Sequence, residues 1–280
     1  MPHFLSLAVH AAVILSEVIA LVWLGQRALE LATRTRFKQE LMVKDNPAAG
    51  IVLAGYYLSL FIALSGLLSG EAIPLLDDLR ITATHGMAAI FALLLSSYLW
   101  RPIVRVRLRE DILTARNLGA GLLSASALIA TGLIYRGAVH LQDANPAIIL
   151  AFFALGEGAL LVYLLVYEWL TPYDVAAEIC EKGNVAAAIS FSGATIAAGL
   201  ILGNAVEGEF LGWRSSIRDA FLYMTPLLAL PLTRWLVVNG LILGWGSVNR
   251  EVAEDRNSAA GLVEAAAYVG IALFAVHLIG

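Results

Sequence analysis

Apolar runs of about twenty residues, parted by short polar segments, recur along the whole 280-residue chain. That is the length at which an α-helix crosses the hydrocarbon of a bilayer, where only helices and closed barrels satisfy every backbone N–H and C=O. The spacing predicts helices over 4–31, 47–69, 81–100, 117–136, 147–170, 185–205, 220–244 and 258–278. The charged fraction agrees: it is 14%, against about 25% in soluble domains, while 60% of residues are hydrophobic. No basic residue precedes the apolar run Leu5–Leu24 and Glu17 interrupts it, so it reads as a retained first helix and not as a secretory signal. The expected fold is all-α, a polytopic membrane protein of about eight transmembrane helices.

Basic residues near helix ends stay on the cytoplasmic side. One set of loops carries Arg27, Arg34, Arg36, Lys38, Lys44, Arg101, Arg105, Arg107, Arg109, Arg116, Lys182, Arg250 and Arg256, the other only Arg80, Arg136, Arg214 and Arg218. Both termini are therefore expected outside the cytoplasm. The single cysteine, Cys180, excludes an intramolecular disulfide framework and leaves too few thiolates for a zinc or iron–sulfur centre. A net charge of −4, with the arginines grouped in loops beside helices, argues against nucleic acid as a partner.

The chain repeats itself. Asn46-Pro-Ala-Ala-Gly50-Ile51 returns as Asn184-Val-Ala-Ala-Ala188-Ile189, and the register continues through Gly55 with Gly193 and Gly70-Glu71 with Gly208-Glu209. A second pair opens at Arg116-Asn117 and Arg256-Asn257, with Gly121 and Gly261 one turn later. Two four-helix membrane repeats follow, over 1–143 and 144–280. Asn46, Asn117, Asn184 and Asn257 all open even-numbered helices, so the halves run in parallel topology. An Asn at such a place caps the unpaired N–H groups of a helix start, and a small residue one turn on lets a neighbouring helix approach. Four partly positive helix starts on one side would also attract an anion if they converged. The spacings Gly66 to Gly70, Gly199 to Gly203 and Gly240 to Gly244 predict further close helix packing.

The string Glu168-Trp-Leu-Thr-Pro172-Tyr173-Asp174, Glu178-Ile179, Gly183-Asn184-Val-Ala-Ala-Ala188 and Gly193 resembles the DUF350 family of bacterial inner-membrane proteins, whose members are commonly single four-helix units. Asn257-x-Ala-Ala-Gly261 with Glu264 and Ala265 extends the resemblance. The first half is similar to a diverged copy, with Lys44-Asp45-Asn46-Pro in place of Lys182-Gly-Asn-Val. The resemblance implies a helical membrane unit present twice and carries no activity; it implies a role in membrane homeostasis or envelope stress.

Ionisable residues at bilayer depth are costly unless paired, protonated or hydrated, and are candidates for function. Glu17 and Glu157 fall near the middle of helices one and five. Arg234 lies within helix seven and needs a carboxylate or carbonyls around it, Glu157 being the preferred partner with Glu17 and Glu264 as alternatives. Glu264 lies two turns into helix eight, where it could pair or snorkel to the surface. His10, His85 and His277 stand near membrane edges. Trp100, Trp169, Trp213 and Trp245 fall where an interfacial belt is expected. Arg101, Arg105, Arg107 and Arg109 either set topology or attract anionic lipid headgroups.

The sequence holds no G-x-S-x-G, no H-E-x-x-H and no cysteine cluster, so neither an enzyme nor a metal or other cofactor is expected. The leading expectation is an ion or small-solute channel or transporter using the midplane carboxylates. The alternative is a structural or regulatory membrane subunit whose basic loops at 34–44 and 101–109 recruit lipid or a cytoplasmic partner; a second copy of the chain or another membrane protein is the other candidate partner.

Overall fold

The computed structural model describes residues 2–68, 74–142 and 144–279; Gly70 and Glu71 of the repeat lie outside them. Among the described residues eight helices are long and apolar enough to cross a membrane, and the chain is a multi-pass membrane protein. In order they are α1 (Pro2–Thr33), then after a short α2 (Phe37–Met42) α3 (Pro47–Ser65) and α4 (Leu75–Val104). A π-helical turn over Leu108–Thr114 leads to α5 (Leu118–Val139), which is followed by α6 (Pro146–Leu170). A second π turn, Ala177–Glu181, leads to α7 (Val185–Ala205). The seventh crossing is broken into α8 (Trp213–Tyr223), α9 (Pro226–Trp235) and a π segment, Leu236–Ile242; a short α10 (Val248–Ala253) then precedes α11 (Ser258–Ile279).

Helices three and seven thus begin earlier than the sequence suggests, at Leu75 and Trp213. The break in the seventh follows from proline: Pro226 opens α9 and Pro231 lies inside it. Each lacks an N–H to donate one turn back, and Pro231 crowds the preceding turn.

α3, α5, α7 and α11 form a row, each packed along the next. Close approach rests on small residues in a register that repeats three times. Near the helix starts, a Cβ on Gly121 would sit 2.9 Å from the Ala48 carbonyl, one on Gly119 3.2 Å from the Ala188 methyl, and one on Gly261 2.6 Å from the Ala186 carbonyl. One level further in, Gly55 lies against Ala125 and Gly193 against Ala265; below that, Gly132 meets Ser59 and Gly199 meets Ala130. Backbones this close gain dispersion contacts that lipid tails cannot supply. The interior members α5 and α7 are 78% and 72% buried along their spans, whereas α11 is 22% buried, because one flank of α11 has no neighbour among the described residues.

The remaining crossings lie outside this row. α4 packs on α1, α3 and α5, α6 on α4, α5 and α7, and α9 on α11. At the end away from the asparagines, β1 (Leu141–Gln142) and β2 (Gly208–Glu209) pair in parallel and tie the exits of α5 and α7 together. Two expectations about packing change. Gly203 lies against the Leu133 carbonyl as the small-residue spacing requires, but Gly240 lies within the π segment beside the Trp245 ring and Gly244 serves a tight turn with a φ of 54°, so this pair receives no neighbouring helix among the described residues. Trp100 is 1% exposed and belongs to the core, whereas Trp169, Trp213 and Trp245 face outward.

Candidate functional site

The four asparagines are four copies of one device. In each, the side-chain Oδ1 accepts a backbone N–H in the first turn of its helix: from Ala49 for Asn46, Ala120 for Asn117, Ala187 for Asn184, and Ala259 and Ala260 for Asn257. The backbone N–H of each Asn donates to the carbonyl of an acidic residue six positions earlier, Glu40, Asp111, Glu178 and Glu251 respectively, at 2.8–2.9 Å. The residue just before each Asn takes the left-handed conformation, with φ of 47° at Asp45, 53° at Arg116, 66° at Gly183 and 51° at Arg256. The true repeat is therefore a helix pair present four times, and each four-helix half contains two of them. The acid-x5-Asn spacing was available in the sequence; the switch between Asp and Glu and the change from α-helical to π-helical turns obscure it.

The first three asparagines also join the modules. Asn46 Nδ2 donates to the Ile112 carbonyl at 3.0 Å, Asn117 Nδ2 to that of Ile179 at 2.7 Å, and Asn184 Nδ2 to that of Val252 at 2.9 Å. Each hook reaches the loop of the following module. The helix starts therefore stand in a row, each already capped, and do not surround a common anion vestibule. Carboxylates support the hooks: Glu40 accepts from Lys44 and Asn46, and Glu178 from Lys182 and Asn184. Burial alone would push the Glu40 carboxyl up, but Lys44 and Asn46 outweigh it and hold the group below its usual range.

Glu157 is 4% exposed and lies among α4, α5 and α6, where Ser96 donates to its Oε1 and Thr131 stands 3.4 Å from the same atom. Its Oε2 has no hydrogen-bond partner among the described residues. Glu17 does not join it. Glu17 is half-buried on α1, with its own Oε2 unpartnered.

Arg234 pairs with Glu264 and not with Glu157, correcting the preferred partner. Glu264 does not snorkel: it is 1% exposed. Arg234 also donates to Asn249 Oδ1 at 3.2 Å and lies over the Tyr268 ring, 5.7 Å from its centroid. The break in the seventh crossing positions this group. Beside it opens a cleft of about 760 Å³ between α6 and α8–α9, lined mainly by apolar residues such as Leu155, Ala159, Val162, Val166, Leu227 and Leu228. Arg234, Asn249, Tyr163, Tyr167, Tyr268, Thr171 and Thr225 are the polar members of its wall. Two of their groups, Arg234 Nε and the Tyr163 hydroxyl, are buried without a hydrogen-bond partner among the described residues. The sequence points to Arg234 and Glu264 but not to Tyr163, whose position on α6 leaves no local signal of its nearness to Arg234.

The arginine run is largely committed to the protein. Arg101 lies over the rings of Tyr98 and Trp100, Arg105 pairs with Glu168 and Asp174, and Arg107 with Glu110 and Asp111; Arg109 is exposed. Asp174 caps the π turn through Ala177 N–H, and this bond, with Arg105, holds its carboxyl below the usual range. Of the histidines, His10 meets Asp78 at 2.7 Å and His277 Nδ1 lies 2.8 Å from the Leu273 carbonyl; the carbonyl of His85 accepts from Tyr135. Among the described residues no group of three or more His, Cys, Asp or Glu is placed to hold a metal ion.

A family model described as Domain of Unknown Function (DUF350) matches residues 3–139 and again residues 141–279. No curated protein and no solved structure matches the chain.

Proposed function

The chain belongs to the DUF350 family, as two copies in tandem, and on that premise we propose that it is a membrane transporter for a small anionic amphiphile, with the cleft between α6 and α8–α9 as its site. The observation that carries this reading is the pair of orphaned donors, Arg234 Nε and the Tyr163 hydroxyl, on residues in the wall of a mainly apolar cleft. An unpaired buried donor is costly, and a ligand acceptor that satisfies it recovers that cost. The apolar wall suits an alkyl body and the arginine suits a carboxylate or phosphate head. Charge balance then involves Glu264. When an incoming anion takes Arg234, Glu264 loses its counter-charge, and one proton taken up by Glu264 leaves the site with the same net charge as before. Transport of the anion would thus bring a proton with it. The geometry moves the emphasis from Glu17 and Glu157 to Arg234 and Glu264.

On this reading the protein is not an enzyme and has no cofactor. It lies in the bacterial inner membrane with the Asn-bearing loops in the cytoplasm and both termini on the other side; Arg109 is left free to meet lipid headgroups.

The test uses a fluorescent alkyl phosphate, whose fixed charge crosses a bare bilayer slowly. Proteoliposomes holding the full chain should take it up, faster when a proton gradient is applied in the same direction. Tyr163→Phe should unfold like the native protein yet bind the probe about tenfold more weakly, the loss of one hydrogen bond. The absence of both binding and uptake by the native chain, or binding unchanged in Tyr163→Phe and in the Arg234→Met/Glu264→Met double variant, would sink the reading.

A second reading, a structural membrane subunit, is favoured by a different feature, the exposed flank of α11.

A further inference from the structure

The row of inner helices stops at α11 with its packing face still turned outward. Counting from each asparagine, Ala259, Ala266 and Gly270 occupy the positions through which α3, α5 and α7 each receive the next helix. All three are exposed. At the other end, Gly50, Ala54 and Phe61 of α3 occupy the positions through which α5, α7 and α11 receive the helix before them; Ala54 and Phe61 are exposed and Gly50 is half-buried.

We propose that these two ends meet between copies of this chain, α11 of one packing on α3 of the next, so that the row continues in the plane of the membrane. The occupant is identified by the seam itself. The protein already makes this interface three times, at α3–α5, α5–α7 and α7–α11, and the proposed contact is its fourth instance. Parallel topology allows it, because the second copy continues the row without turning over in the bilayer.

Two details fit the same partner. Asn46, Asn117 and Asn184 each hook a carbonyl of the following module, five positions before its asparagine, whereas Asn257 Nδ2 bonds only Glu251 of its own module among the described residues. In a second copy the carbonyl at that register is Leu41, which would complete the fourth hook. The α3 face also carries Phe61, 47% exposed, where α5 and α7 have Gly132 and Gly199. Opposite it the register places Gly270, where a Cβ would meet nothing within 4 Å, leaving room for a ring. The contact is head-to-tail, so it closes into a ring or extends as an open row. It uses none of the cleft residues and stands or falls independently of the transport reading.

The test is disulfide cross-linking of the full chain in native membranes, in a Cys180→Ala background. The double variant Ala54→Cys/Ala266→Cys should give a ladder of linked chains on oxidation, and each single variant none. In lipid nanodiscs the native chain should have the mass of several copies. Gly270→Trp should fall to the mass of one copy while its thermal unfolding stays native, since that position is open in the single chain. A native chain of single-copy mass in nanodiscs, cross-linking by either single-cysteine variant, or a different polypeptide bound at the α11 face would overturn the proposal.

Discussion

Arg234 of the broken seventh crossing and Glu264 of α11 form an ion pair that the bundle shields, with 1% of Glu264 exposed. Removing one member strands the other at membrane depth. Glu264→Gln or Arg234→Met alone should destabilise the protein by about 3–5 kcal/mol, while Arg234→Met/Glu264→Met together should stay near native stability. Unfolding in mixed detergent micelles measures all three, and equal losses for the single and double variants would contradict the pairing.

The asparagines should not be equivalent. Asn184 caps α7 and also satisfies the Val252 carbonyl of the next module from a fully buried position, so Asn184→Ala is expected to cost about 2–3 kcal/mol. Asn257, exposed and with its Nδ2 bonded only within its own module among the described residues, should cost about 1 kcal/mol, the worth of a cap alone. Comparison of the two midpoints in the same detergent decides it.

Cys180 follows from its surroundings. Burial first, and then the Asp111 carboxylate, push its thiol up to about 12, against about 8.5 for a free cysteine. At pH 8 its thiolate fraction, and its alkylation rate, should be lower than those of the unfolded chain by roughly a thousandfold. The rate should rise about tenfold per pH unit up to pH 11. Rapid maleimide labelling of the folded protein at pH 8 would refute this.

Glycines test the packing register. A Cβ on Gly137 would overlap the Gly203 carbonyl, a backbone atom that cannot move aside, so Gly137→Ala should cost about 3 kcal/mol. Gly158 faces the cleft with nothing within 4 Å, and Gly158→Ala should be neutral or stabilise by up to about 1 kcal/mol. Thermal unfolding of the two variants should separate by several degrees.

All eight crossings are legible because hydrocarbon demands long uncharged runs and tolerates little else; the third and seventh begin earlier than the apolar pattern suggests, and Pro226 and Pro231 break a seventh run that composition alone presents as continuous. The 138-residue repeat was legible through identical residues such as Asn46 with Asn184 and Gly55 with Gly193. The shorter helix-pair repeat was hidden, since its signal is a backbone bond from Asn to an acid six residues back that either Asp or Glu can supply. Arg234 and Glu264 both stand out as ionisable residues within apolar runs, but Glu17, Glu157 and Glu264 compete for the one arginine. Sequence order does not say that α11 lies beside α9 while α6 turns Glu157 toward Ser96.

The hooks of Asn46, Asn117 and Asn184 and the seams α3–α5, α5–α7 and α7–α11 join each module chiefly to its neighbours in the row. The energetics of such a chain resemble those of a solenoid, in which stability is a sum over units and over the seams between them. Modules at the middle of the row are held by two seams and those at its ends by one. Opening should therefore begin at the termini and travel inward, with amide exchange in α11 preceding that in α5 and α7. Closing the row on itself would remove the ends from which it unzips.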